Sequence, residues 1–347
     1  MSAEQGAAPA AAATSPAPTR APRASAEHRS SELPSGWISI AGKELADHLL
    51  SVRFYVLLLV LGIAAFIPLY FAAERIRTLA PAASGQPAIF LALFVLNPEG
   101  ARLVTVQAFV AIVAPLLGVA FAFDAVNGER HQGTLPRLLS QPIHRDDVIN
   151  GKFAAGLAVI GIVLAMTVML IAGAGMLRLG ISPDPTEILR LIAWLLVTVL
   201  YVALWLAFGT LLSVVIRRAA TSALVGFGVW MFAAVPIFGP YLVQLVGSFL
   251  AAGATTEADY FGTIQWAQRL LPGQLYAEAS TAILSPGVTS VSASDIYSAS
   301  ATPRIDSILT FEQSLLLVWP HIVILVALTI GCFALAYARF MRQEVRA

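Results

Sequence analysis

The sequence predicts an all-α, polytopic membrane protein with six transmembrane helices, an N-terminal amphipathic interfacial helix and a short helix in one long cytoplasmic connection. Three observations predict it. Of the 347 residues, 58% are hydrophobic and 12% charged, with a mean hydropathy of +0.79, whereas a soluble domain carries about 25% charged residues. The apolar residues fall in charge-free runs long enough to cross a bilayer, whose hydrocarbon core of about 30 Å takes about 20 helical residues. Lys and Arg collect in alternate connections, as they do on the cytoplasmic side of membrane proteins. A net charge of +1, with no dense basic run, excludes a nucleic-acid partner. The single cysteine, Cys332, excludes a disulfide framework and a multi-thiolate metal site, and within an apolar run it reads as an inert thiol.

Residues 1–36 are rich in Ala, Pro and Ser without apolar periodicity. They predict a disordered cytoplasmic tail, because such a chain buries too little surface to offset the entropy of ordering. No apolar core follows a short basic start, so a signal peptide is not expected. Residues 37–53 differ: Ile38, Ala41, Leu45, Leu49 and Val52 recur at helical spacing, while Lys43, Glu44, Asp47 and His48 fall elsewhere. This predicts an amphipathic elbow helix in the headgroup layer, opening at Trp37. The competing reading is a plain extension of the first span.

The transmembrane domain is expected over 54–340, with spans at about 54–73, 103–124, 150–177, 189–216, 220–240 and 315–338, and a cytoplasmic C-terminus at 341–347. Glu74 and Arg75 stop the first span, Asp124 the second, Arg178 the third and Arg217-Arg218 the fourth. From Ala219 to Thr256 no charge occurs, yet the run is too long for one crossing. The sequence Val235-Pro236-Ile237-Phe238-Gly239-Pro240 breaks it, since prolines interrupt the helical ladder, and residues 241–252 would dip back into the outer leaflet. The last span contains Pro320 and His321.

Six crossings put both termini on one side. That side carries Arg20, Arg23, Arg29, Lys43, Arg53, Arg130, Arg137, Arg145, Lys152, Arg217, Arg218, Arg339, Arg342 and Arg346, against Arg75, Arg77, Arg102, Arg178, Arg190, Arg269 and Arg304 on the other. The bias places both termini, and the connection over 125–147, in the cytoplasm. Residues 251–312 are then external, with a helix over 274–284 between Pro272-Gly273 and Ser285-Pro286 and a Ser/Ala-rich loop over 288–302. The apolar patch Ala88 to Leu96, between Pro87 and Pro98, reads as interfacial.

Intramembrane ionisable groups are costly and mark functional sites, and this chain has few. It carries no HExxH pair, no GxSxG elbow and no phosphate loop, since Gly151-Lys152 has Asp146 where that loop needs its first glycine. No catalytic or metal-binding residue is assigned, and the chain is not expected to be an enzyme. His321, the one histidine within a span, reads as an inter-helix or helix-end hydrogen bonder. The cytoplasmic connection is more informative. Gly133 permits a tight turn, Thr134 can cap a helix, Leu135, Leu138 and Leu139 form an apolar edge, and Pro142 ends it. Asp146 and Asp147 fall in the first turn of the next helix, where carboxylates suit the positive end of the dipole. A plain link between two spans needs only a few residues. This longer one, with its leucine edge, reads as a docking surface.

The pattern Asp124, Glu129, Gly133-Thr134-Leu135, Leu138-Leu139, Pro142, Arg145 and Gly151-Lys152 resembles the type-2 permeases of ATP-binding-cassette (ABC) transporters, the exporter group that includes the nitrous-oxide-reductase maturation permease. The likeness extends to Lys43-Glu44-Leu45 of the elbow helix, the six spans and the stretch Pro272 to Pro286, so it covers most of residues 37–347. It implies that residues 133–140 form a coupling helix seated in a cleft of a separate ATPase subunit. Glu129, Arg130, Gly133, Thr134, Leu135, Leu138, Leu139, Pro142 and Arg145 would be the ATPase-coupling residues. Glu129 and Arg145 would hold the helix ends, by pairing within the loop or by meeting the ATPase. The chain departs from the pattern in its Ala/Pro-rich tail and in Pro136 inside the coupling helix.

The resemblance further implies two ATPase copies and a permease homodimer or pseudo-symmetric heterodimer, embedded in lipid of a bacterial or archaeal cytoplasmic membrane. No cofactor would sit on this chain; ATP and Mg would sit on the ATPase. The family's dimer contact and route involve the second and fifth spans, which makes Gln107, Pro115, Gly118, Gly226, Trp230 and Pro236 candidates for a pathway or dimer face, with plain helix packing as the alternative. The expected function is the permease subunit of an ABC exporter. Two rivals stand beside it: a non-transporting scaffold or sensor that recruits an ATPase, and an intramembrane enzyme, which would need Asp124, Arg190 and His321 to converge. No residue pattern names the substrate.

Overall fold

A computed structural model describes residues 36–83, 88–96, 105–133, 144–291 and 308–343, and among these no strand occurs. The helices follow as α1 (Gly36–Leu49), α2 (Val52–Ala83), α3 (Ala92–Val95), α4 (Val106–Ala122), α5 (Asn127–His131), α6 (Arg145–Leu179), α7 (Pro185–Val215), α8 (Ala219–Ala234), α9 (Gly239–Leu250), α10 (Glu257–Gln268), α11 (Pro272–Leu284) and α12 (Phe311–Met341). Helices α2, α6, α7 and α12, and the stretch Val106–His131 that holds α4 and α5, are each long and apolar enough to cross a membrane. The pair α8 and α9 makes a sixth crossing when taken as one broken span, bent by 47°. The fold is therefore all-α and polytopic.

Local chemistry sets the helix boundaries. Asp184 accepts from the backbone N–H groups of Thr186 and Glu187, Glu187 returns a carboxylate to the Asp184 N–H at 2.9 Å, and Pro185 occupies the first turn, so α7 starts on a complete capping box. Thr310 and Gln313 do the same for α12. Gly180, at φ 68°, ends α6 in the left-handed conformation. At the α8–α9 break, a Cβ on Gly239 would come within 2.2 Å of the Phe232 carbonyl oxygen, so only glycine lets the chain turn there.

Helix α7 is the axis of the bundle. It packs against α12, α4, α11, α6 and α8 and buries Trp194, Tyr201, Val202 and Leu206. Its crossing with α4 is tight: a Cβ on Gly118 would lie 2.7 Å from the Leu206 nitrogen and 2.8 Å from the Val202 oxygen. Pro115 sits inside α4 and has no N–H for the Ala111 carbonyl. Tyr201 Oη donates to that carbonyl at 3.4 Å, and Trp230 Nε1 donates to the Ile112 carbonyl beside it at 2.7 Å. Neighbouring helices thus satisfy groups that the proline exposes.

The patch Ala88 to Leu96, expected at an interface, packs part of its length into the protein. Phe90, Leu91, Leu93 and Phe94 are buried at 0–1% exposure, the Phe94 ring meets Trp194 edge-on at 5.3 Å, and the Phe90 N–H donates to Glu187. This segment is a plug in the protein core: Phe94 of α3 meets Trp194 of α7, α3 packs against α2, α4 and α11, and the Phe90 N–H ahead of it finds a buried acceptor. Helix α1 is set off from α2 by a turn at Leu50 and Ser51, where Ser51 Oγ donates to the His48 carbonyl and accepts from the Phe54 N–H. It lies along the first turns of α6.

Candidate functional site

Two ends of the bundle carry the polar residues. The proximal end holds α1, α5, the start of α6 and the end of α12; the distal end holds α3, α10, α11 and the start of α12. At the proximal end, Lys152 Nζ lies 2.9 Å from Glu44 Oε1 and 2.7 Å from Glu129 Oε1, with 9% of its side chain exposed. One ammonium therefore joins α1, α5 and α6. Beside it, a Cβ on Gly151 would fall 2.8 Å from Ile40 and 2.9 Å from the Trp37 oxygen, so glycine is what allows α1 to lie on the α6 backbone. The sequence fragments Lys43-Glu44-Leu45, Glu129 and Gly151-Lys152 are one structural unit.

Around this unit lies a polar cavity of about 360 Å³ lined by Lys43, Glu44, Asp47, His48, Asp124 and Glu129 among others. Arg53 Nη2 pairs with Asp124 Oδ2 at 2.7 Å and covers the Phe123 ring at 5.1 Å. His48 sits edge-on to Phe121 at 5.2 Å, and its burial lowers its pKa below the ordinary 6.5 despite the nearby Glu44. Helix α5 is pinned to the end of α7: Ser213 Oγ accepts from the N–H groups of Val126 and Asn127, and Asn127 Nδ2 donates to the Ile216 carbonyl.

Of the residues assigned to coupling, Glu129 pairs with Lys152, and Arg145 instead donates to the Gln343 carbonyl at 3.2 Å, tying α6 to the end of α12. Arg130 is half-buried, and Gly133, at φ 66°, holds a left-handed conformation that suits glycine. Thr134, Leu135, Leu138, Leu139 and Pro142, with the expected coupling helix, lie outside the described residues. In α1, Trp37 and Lys43 are exposed while Glu44 and Leu45 are half-buried.

The six pathway candidates divide. Gln107 and Pro236 line a cavity of about 420 Å³ between α4, the α8–α9 break and α11, shared with Thr105, Tyr201, Gln268 and Gln274. Gln107 Nε2 donates there to Thr281 Oγ1 at 2.8 Å. Pro115, Gly118, Gly226 and Trp230 are buried against other parts of the same chain. Gly118 meets α7, a Cβ on Gly226 would lie 2.8 Å from Val119, and Trp230 is buried with its N–H bonded to α4. Small residues allow close approach of any helix, and here the neighbour is intrachain.

At the distal end, buried Arg190 donates to the Ile283 carbonyl, Ser314 Oγ and the Leu309 carbonyl at 2.7–3.0 Å, stapling α7, α11 and the start of α12. Glu278 is a second hub. Arg269 Nε and Nη2, His321 Nε2, Gln265 Nε2 and Gln274 Nε2 all lie 2.8–2.9 Å from its oxygens. Burial alone would raise the Glu278 carboxyl, but the bonds to His321 and Gln274 and the Arg269 charge hold it below the ordinary 4.5. His321 is thus an inter-helix hydrogen bonder. Asp124 is at the proximal end and Arg190 and His321 are at the distal end, each with its own partners, so the three do not converge. Sequence reasoning missed Glu278 and Arg269, whose pairing across the Pro272-Gly273 turn follows no helical spacing. It also missed Glu187, for which the Asp184-to-Glu187 capping-box spacing was a usable signal.

A family model described as ABC-2 family transporter protein matches residues 38–345. The chain is similar to a probable ABC transporter permease protein NosY of Stutzerimonas stutzeri, at 28% identity over 213 residues, covering 60% of this chain and 70% of that protein. It is also similar to a probable ABC transporter permease protein NosY of Pseudomonas aeruginosa, at 28% identity over 209 residues, covering 58% and 67% respectively.

Proposed function

The chain belongs to the ABC-2 family of transporter proteins, and we propose on that premise that it couples ATP hydrolysis on a separate ATPase subunit to export of a substrate across the bacterial inner membrane. As a member it is a multi-pass membrane permease subunit of an ABC transporter. The observation that supports coupling is the mounting of the connection between α5 and α6. Its first root, Glu129, and its second, Lys152, are joined at 2.7 Å, and α5 is bonded to the end of α7. A lever works only when its base is fixed to what it moves.

In this reading the Lys/Arg bias puts the proximal end in the cytoplasm. Two ATPase copies carry ATP and Mg, close on the nucleotide and push the connections of two permease copies, identical or pseudo-symmetric. The push tilts the spans and opens a route past the cavity beside Gln107 and Pro236. That cavity is lined by amide, hydroxyl and apolar groups with no charged side chain, which suits an uncharged or weakly polar cargo. Reconstitution with the cognate ATPase tests the reading. Gly133→Pro, which forbids the positive φ at the loop root, is expected to abolish nucleotide-driven transport while the permease still folds and binds lipid. Normal transport by this variant would refute the assignment, and ATPase stimulation without movement of any cargo would favour a scaffold or sensor instead.

A further inference from the structure

We propose that the groove between α2 and α6 is a phospholipid site, with one acyl chain lying along the two helices and the phosphate held by Arg178 at the distal rim. The groove has a volume of about 670 Å³ and is lined by Tyr55, Leu59, Gly62, Ile63 and Phe66 of α2 and Leu170 of α6, among other apolar side chains. Gly62 forms its recess. A Cβ there would meet only Leu170 Cδ2, at 3.9 Å, so close packing does not demand glycine at this position. The recess accepts a larger side chain without a clash, and it accepts a methylene chain by the same geometry.

An apolar groove alone selects no lipid; the rim does. The stripe continues at helical spacing from Phe66 to Tyr70 on α2, and from Leu170 through Ala174 to Arg178 on α6. There the exposed Arg178 guanidinium covers the Tyr70 ring at 4.6 Å. A stacked guanidinium still directs its in-plane N–H donors outward, and among the described residues no carboxylate lies within ion-pair distance of it. Arg77 beside it is engaged, with Glu74 at 3.8 Å and the Arg178 carbonyl at 3.3 Å. Arg178 is thus the cation that the rim leaves for a ligand. Gly175, one turn earlier, packs on Leu93 of α3, which sets the rim at the distal end. From Tyr70 to Tyr55 the stripe runs about 22 Å at 1.5 Å per residue, deeper than one leaflet of a core of about 30 Å. A second copy of the chain would fit the apolar part of the groove but not the rim. Copies related by a two-fold axis along the membrane normal would join the two grooves at equal depth and set Arg178 against Arg178. A phosphate brings the opposite charge.

The test uses the full-length permease assembled with its ATPase in detergent, and two lipids with identical acyl chains: phosphatidylglycerol, and diacylglycerol, which lacks the phosphate. Native mass spectrometry reads binding. The parent is expected to bind phosphatidylglycerol about tenfold more tightly, the scale of one hydrogen bond between charged groups; equal binding of the two lipids overturns the phosphate contact. Arg178→Gln is expected to lose that preference while still binding diacylglycerol, and a preserved preference overturns the assignment. Gly62→Leu, which fills the recess, is expected to weaken both lipids. Undiminished binding in that variant overturns the groove as the site, and loss of a permease dimer with lipid binding intact gives the groove to a second copy instead. Should a variant not fold, the parent alone decides: phosphatidylglycerol carrying a diazirine on its acyl chain is expected to label residues 55–67 or Leu170, and labelling confined to other segments overturns the proposal.

Discussion

At the distal end, Arg190 is 2% exposed and Glu278 is 8% exposed, and each is surrounded by fixed donors or acceptors from several helices. At the proximal end the charges are graded: Lys152 is buried between two carboxylates, while the Arg53 and Asp124 side chains are 52% and 26% exposed. A fully surrounded ion holds one geometry, because any displacement leaves a buried group without a partner. A partly solvated pair tolerates displacement, because water replaces the lost partner. The distal end is therefore built as a fixed cap and the proximal end as a set of linked segments that can shift.

The largest effect should come from breaking the cap. Arg190→Met strands the Ile283 and Leu309 carbonyls, and should cost about 3 kcal/mol or more of stability, read as a lower thermal midpoint of the detergent-solubilised protein. A loss under a third of that would mean that water already shares those acceptors. Next, Glu278→Gln keeps the shape of the second hub but removes the charge that Arg269 and His321 meet, and should cost about 2 kcal/mol. An unchanged midpoint would place Glu278 among the solvated groups and erase the contrast between the ends.

Acid should sharpen the comparison, because the two ends respond in different windows. His48 has a lowered pKa, so the fold binds fewer protons there than the unfolded chain; its contribution is complete above pH 6.5 and declines as pH falls below that value. Glu278 is also lowered, so its contribution is complete above pH 4.5 and is lost as pH falls further. The thermal midpoint should thus fall in two stages on acidification, with His48→Gln removing the first stage alone. A first stage that survives in His48→Gln would assign it to another group. The smallest effect belongs to Arg53→Ala, which removes a partly exposed pair and should change stability by about 0–1 kcal/mol. A larger loss in thermal denaturation would show that the proximal end is as rigid as the cap.

Much of the fold was legible because a bilayer imposes a coarse rule: charge-free stretches of span length must be helical and must cross. Helices α2, α4, α6, α7 and α12 overlap such stretches, and the prolines and glycine between Val235 and Pro240 coincide with the α8–α9 break. The nine residues from Ala88 to Leu96 were not legible in the same way. An apolar segment satisfies lipid and a protein core equally, and only the burial of Phe90, Leu91, Leu93 and Phe94, with the capture of the Phe90 N–H by Glu187, shows that these residues pack inside the bundle. Gly118 and Trp230 pack within the chain, by the same chemistry with which a small or aromatic residue would pack against another copy.

The sequence by itself determined which segments leave water, where helices cap and break, and that a long connection separates α5 from α6. Those outcomes depend on composition and on neighbours a few residues away. Only the tertiary structure decided that Lys152 meets Glu44 and Glu129, that Glu278 gathers Arg269 and His321, and that α3 is a plug. Apolar transfer is non-directional and can be summed along a chain. Charge pairing is directional, and its partners here lie up to 108 residues apart, so it waits until packing has set every helix beside its neighbour.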